Sequence, residues 1–207
     1  MNPRKKVMNK LVFLVLAFCI TLSPYACGKT DRPENDVDTI SDDDYEIYTV
    51  VINKIKQERE KEVWIANKTK YDQDNSEKEF YNRFDWVEEK LKVKIDGRIK
   101  DDFYNKNLKH YIFANKFSAI KGIRVVSVQE LDAMLADKEN PWGMGEKSSG
   151  YAGYAYLSRI GFNNTKTKAL LYYESAYHFL DGAGMCVLLE KENNKWVIKY
   201  ELMLWIS

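Results

Sequence analysis

Nucleophilic chemistry in this chain would have to run through Cys186. His178 and Asp181 precede it by a few residues, and a hairpin loop could bring an imidazole, an orienting carboxylate and the thiol within hydrogen-bond reach. The plainer reading is a solvated loop histidine beside a strand cysteine that packs as a small apolar residue. The other histidine is His110, and the chain holds no HExxH, CxxC, glycine-rich phosphate loop or GxSxG pattern. Two distant histidines without matched acids do not make a zinc site. The sequence therefore predicts no metal, no cofactor and no catalytic residue. Glu190 and Glu192 lie two apart on an expected strand and share one face. A glycosidase needs its carboxylates across a sugar cleft, which a wet strand face does not supply. Asn67-Lys68-Thr69 and Asn163-Asn164-Thr165 match the glycosylation triplet, and turn chemistry accounts for the second.

The elements that would hold these residues are clearest in the last third. Four apolar runs, 154–162, 169–177, 185–192 and 195–207, are separated by turn-forming clusters. Asn193-Asn194 suits a tight turn because Asn tolerates positive φ. Sequential strands with short links predict an antiparallel meander. In the last run Trp196, Ile198 and Tyr200 alternate with Val197, Lys199 and Glu201, as expected for a strand with one wet face. Upstream, Tyr45, Tyr48, Ile52 and Ile55 form a helical stripe behind the acids Asp42, Asp43 and Asp44, with Ser41 or Asp42 as the cap. A short strand over 62–70 follows. Ser76 and Glu79 then form a capping box ahead of Phe80, Phe84, Val87 and Leu91. A short helix over 101–111, a strand over 124–127 and a helix from Ser127 through Leu135 complete the expectation. Residues 139–153 hold Pro141 and four glycines and read as a long loop. The fold class is α+β, a C-terminal four-stranded antiparallel meander packed against N-terminal helices.

The first residues read as an export signal. Met1 to Lys10 is basic, and Leu11 to Leu22 carries no charge. That run of about a dozen residues is short for a bilayer span of about 20 but fits a signal-peptide core. Residues 1–26 are the expected signal, 27–42 a polar tether and 43–207 one domain. Ala26 before Cys27 and polar sequence after it predict lipidation at Cys27, and cleavage after Gly28 is the competing reading. Of the three cysteines, Cys19 leaves with the signal, and a lipidated Cys27 leaves Cys186 as a lone thiol. Residues 1–26 contain Arg4, Lys5, Lys6 and Lys10 and no acid, so 32 − 4 = 28 basic residues remain against 31 acidic ones, a net charge of −3. That balance, with no further basic cluster, argues against a nucleic-acid partner.

The pattern SRIGFNNTKTKALLYY, then VLLEKENNKW, then a terminal LWIS resembles a family of uncharacterised exported bacterial proteins, many with lipoprotein signals. The resemblance runs from Ser158 to Ser207 and is fainter at Tyr45–Tyr48 and Asp101–Phe103. It implies export and no known activity or catalytic residues. Many relatives carry a Gly- and Cys-rich segment between the second and third strands, and YHFLDGAGMC keeps the glycines and Cys186 alone. The expectation is an exported cell-envelope protein, anchored to a membrane by lipid at Cys27, with the outer membrane or periplasmic side open if the cell is Gram-negative. Its domain would bind an envelope protein rather than catalyse. The alternative is a periplasmic hydrolase with a site between loops 139–153 and 177–184.

Overall fold

A capped helix fixes the start of the domain. In a computed structural model describing residues 40–58, 62–70, 76–114, 116–135, 151–176 and 182–207, α1 spans Asp42–Gln57. Ser41 and Asp44 close a capping box, with Ser41 N donating to Asp44 Oδ2 at 3.0 Å and Asp44 N donating to Ser41 Oγ at 3.3 Å. Ile40, in the expected tether, is buried in the core at 5% exposure. The described residues fall within one compact unit, Asn35–Ser207. The last two residues of the expected tether, Ser41 and Asp42, cap and begin α1 instead, and the expected signal and tether residues 27–39, Cys27 among them, lie outside the described residues.

The remaining elements are β1 (Glu62–Ala66), α2 (Glu77–Leu91), α3 (Gly97–Lys106), β2 (Ile123–Val126), α4 (Val128–Leu135), β3 (Tyr151–Leu157), β4 (Gly161–Phe162), β5 (Lys168–Ala176), β6 (Ala183–Glu192) and β7 (Lys195–Ile206). The α+β class holds. The sheet is larger than a four-stranded meander: seven strands in the order β2-β1-β3-β5-β6-β7, with β4 paired to β5. β1 runs parallel to both β2 and β3, while β3, β5, β6 and β7 pair antiparallel. The parallel half escaped the sequence reading because β1 and β2 are only five and four residues long, joined through α2 and α3.

The run 154–162 is two strands. At Ser158 the chain leaves β5's ladder, because Ser158 Oγ accepts from Tyr172 N at 2.9 Å and donates to Arg159 O at 2.8 Å. Residues 151–153, expected in a loop, begin β3 instead. The helix expected over 101–111 starts at Gly97, where Asp96 caps it by accepting from Arg98 N at 3.0 Å. It stops at Lys106 because the Asn107 side chain donates to Phe103 O at 2.8 Å and Arg159 O at 3.2 Å.

Helices cover both faces of the sheet, so neither face is simply wet. α1, with Phe113 and Phe117, packs on Val63, Ile65, Leu157, Leu171, Tyr173, Val187 and Leu189. On the opposite face α2 and α3 bury Phe80, Phe84, Ile99 and Phe103 against Leu170, Tyr172 and Cys186. α4 covers Ala66 and Val126 through Leu131. The expected alternation along β7 fails for a definite reason. Leu188 pairs with Tyr200 but Leu189 with Ile198, and Gly184 pairs with Trp205 but Met185 with Met203. Lys199 and Leu204 are therefore extra residues, two bulges that each swap the faces of the strand beyond them. Glu201 turns toward α1, where Lys54 and the Tyr173 hydroxyl hold it.

Candidate aromatic platform

Between α2/α3 and α4, one stretch of the second sheet face carries side chains from four elements. Tyr154 and Tyr156 come from β3, Tyr172 and Glu174 from β5, Gly184 from β6 and Trp205 from β7. Trp205 sits opposite Gly184 on this face because the two bulges advance β7 by two residues while their face swaps cancel. Gly184 leaves the room: a Cβ at that position would sit 2.1 Å from Trp205 Nε1 and 2.5 Å from the Tyr172 hydroxyl. In that space Trp205 Nε1 donates to Tyr172 Oη at 2.7 Å, and Tyr172 Oη donates to Glu174 Oε1 at 2.9 Å. Lys70 Nζ, just after β1, closes the chain on Glu174 Oε2 at 2.9 Å and lies 4.9 Å from the Tyr156 ring centroid. The Tyr154 and Tyr156 rings meet edge to face at 5.9 Å.

Burial dominates the electrostatics of this chain of contacts. Burial pushes the Tyr172 phenol well up, and the charge of Glu174 adds to it. Burial, with the charge of Asp132, pushes Tyr156 up to about 12, and burial also raises Tyr154. All three phenols are donors at neutral pH. Both carboxylate oxygens of Glu174 already accept hydrogen bonds.

The residues singled out from sequence fare differently. Cys186 is 1% exposed beneath α2 and α3, and burial pushes its thiol up to about 12. It packs as an apolar residue. His178 and Asp181 lie outside the described residues, as do 139–150 and 177–181 of the loops proposed to frame a hydrolase site. The strand ends flanking those loops do share one end of the sheet, since Tyr154 pairs with Ala176 and Ser175 with Ala183. His110 holds its Nδ1 2.7 Å from Thr69 O, so Nδ1 carries the proton and donates. Glu190 and Glu192 are ion-paired to Lys168 and Lys199. Glu190, with Lys168, lines a cleft of about 250 Å³ floored by Ile95, Ile99, Ala169 and Leu188, and Glu192 is not part of it. Among the described residues no cluster of His, Cys, Asp or Glu could hold a metal ion, and no helix is long and apolar enough to cross a membrane.

Sequence reasoning missed Lys70, Gly184 and Trp205 as a group. Their meeting depends on the β6–β7 register and its two bulges, which no local pattern specifies. No family model, curated protein or solved structure matches the chain.

Proposed function

We propose that the chain is an exported envelope protein, lipid-anchored at Cys27, whose α+β domain is a binding module for a polypeptide partner. The observation that carries the binding role is Trp205. An edge strand bends twice to lay an indole on a tyrosine face, where Tyr172, Glu174 and Lys70 fix it in a single chain of hydrogen bonds. Such pre-organised aromatic anchors are what interface hot spots are made of.

A polypeptide is the occupant favoured by what borders the platform. Among the described residues β7 pairs only with β6, so its outer backbone edge is open to another strand. Met203, Trp205 and Ile206 line the end of that edge, 46%, 39% and 70% exposed. Met and aromatic residues are enriched in the buried centres of protein interfaces. The basic, apolar and polar segments before residue 40, with a small residue just before Cys27, support export and anchoring.

Two measurements test this. Mass spectrometry of the protein from its native membrane should find a mature N-terminus at a diacylated Cys27, and any other N-terminus removes the anchor. A photo-crosslinker at Met203 should trap one discrete polypeptide in the native envelope, whereas the same group at exposed Glu89 on α2 should not. The Met203 adduct should vanish with Trp205→Ala. An adduct that survives that change, or equal adducts from both sites, refutes the platform as a docking surface.

A further inference from the structure

We infer that Arg159, at the break between β3 and β4, is the recognition group of an oxyanion site that takes a carboxylate or phosphate. Three charged side chains are buried among the described residues, Asp44, Glu88 and Arg159. Asp44 is tied into the α1 capping box through Oδ2, its Oδ1 buried without a donor. Glu88 accepts from Lys94 at 2.7 Å, Lys100 at 3.0 Å and Ile95 N at 3.1 Å. Arg159 differs from both. It is 5% exposed, its Nε is buried without an acceptor, and no carboxylate among the described residues pairs with it.

Deprotonation cannot relieve this position, since a guanidinium stays charged throughout the working pH range. A buried charge without a counter-charge is among the costliest features a fold can keep. The surroundings of Arg159 hold the charge without neutralising it. The Tyr111 ring centroid lies 4.2 Å from the guanidinium carbon. Asn107 clamps the backbone on both sides, donating to Arg159 O at 3.2 Å and accepting from Arg159 N at 2.8 Å. Lys106 Nζ, 3.2 Å from Ile160 O, is already ion-paired to Asp102 at 2.7 Å. A backbone-clamped guanidinium beside an aromatic ring, its Nε–H without an acceptor and no carboxylate paired to it among the described residues, matches the two-oxygen edge of a carboxylate or phosphate. The site is separate from the aromatic platform and does not depend on it.

The test is thermal unfolding of the purified protein in chloride at fixed ionic strength, with phosphate or acetate substituted for part of the chloride. Unfolding beside vesicles of phosphatidylglycerol in phosphatidylcholine is the second arm. The wild type should gain roughly 5–10 °C in Tm when the anion reaches about 100 times its Kd. Arg159→Met should abolish the gain while melting no lower than wild type in chloride alone. Lys166→Met, a surface change, should leave the gain intact. A response to free anions assigns a soluble ligand, and a response to anionic vesicles alone assigns a lipid headgroup. Either upholds the site. If Arg159→Met does not fold, Arg159→Lys decides, because it keeps the charge and loses the fork. A tenfold or greater loss of anion affinity supports the assignment, and an unchanged affinity overturns it. No stabilisation of the wild type by any of these anions also overturns it.

Discussion

Alkylation of Cys186 separates a reactive thiol from a packing residue by orders of magnitude. The thiolate is the reacting species, and burial pushes this thiol up to about 12. At pH 8 a pKa of 12 leaves a thiolate fraction on the order of 10⁻⁴, against roughly a quarter for an unperturbed thiol near 8.5. Ionisation alone thus slows iodoacetamide by about three powers of ten. Steric cover acts in the same direction: Cys186 is 1% exposed, and Leu170, Tyr172, Phe80 and Phe103 belong to the cluster around it. Reagent should therefore reach the sulfur chiefly through opening of α2 and α3 from the sheet. The assay is timed alkylation of native and urea-unfolded protein at pH 8, read by mass spectrometry of the peptide containing Cys186. The native rate should lie at least about 10³-fold below the unfolded rate, and Cys186→Ala should leave partner crosslinking at Met203 unchanged. A native rate within about tenfold of the unfolded one would refute the argument. It would restore the thiol with His178 and Asp181 as a candidate nucleophile.

Three further outcomes rest on the packing and the charges. Gly161→Ala should cost about 2–3 kcal/mol in urea unfolding, since its Cβ would sit 2.5 Å from Phe103 Cβ and 2.6 Å from Ile99 O on α3, whereas Gly97→Ala, with nothing within 4 Å, should be neutral or stabilising by up to about 1 kcal/mol. Burial alone would raise Glu88, but hydrogen bonds from Lys94, Lys100 and Ile95 N outweigh it and hold the carboxyl below its usual range. Its contribution is therefore present above the unfolded value and lost as pH falls. Glu88→Gln should cost about 1–3 kcal/mol at pH 7 and flatten the loss of stability below about pH 4.5. Cys186, Tyr156 and Tyr172 all have folded values raised above their unfolded ones, so their contribution is complete below about pH 9 and is lost as pH rises. The urea midpoint should fall progressively between pH 9 and 12, and Cys186→Ala should delete the earliest part of that fall.

Local rules carried the helices and failed at the sheet's connections. The Ser41 and Ser76 boxes were legible because cap, acid and apolar stripe all lie within one turn or two of chain. Ser127 and Glu130 have the spacing of a third capping box, which is half made: Ser127 Oγ accepts from Glu130 N at 3.0 Å, but the Glu130 carboxylate turns to Arg124 at 2.7 Å. The Asn193-Asn194 turn follows from residue type, with φ of 49° and 62°. By contrast, β1 pairs with β2 and β3 across long intervals of chain, and that choice is made by burial on both faces. α3 began earlier than its apolar spacing suggested because Asp96 supplied the cap and Gly97 tolerated the first turn. Of the platform, the tyrosines could be placed on strands, but the pairing of Trp205 with Gly184 could not be assigned without the bulges. Arg159 was visible only as one residue of a strand, and its burial without a counter-charge is a property of the break at Ser158.

The edge of the sheet connects these findings. Open edges invite unwanted pairing, and folds commonly protect them with lysines and bulges. Along β7 the protection is uneven. Lys195 and Lys199 stand in the first half, and one bulge falls at Lys199. After Glu201, which faces inward to Lys54 and Tyr173, no charged residue remains in the strand. That unguarded half is the half whose second bulge brings Trp205 opposite Gly184 on the tyrosine face, with Met203 and Ile206 exposed on the strand's other face. A strand under pressure only to avoid aggregation would carry a lysine there, at little cost to a solvent-facing position. Two bulges, a glycine opposite the indole and a three-member hydrogen-bond chain behind it make sense together if this half of the edge is kept open for a partner, and the guarded half sets where that partner must stop.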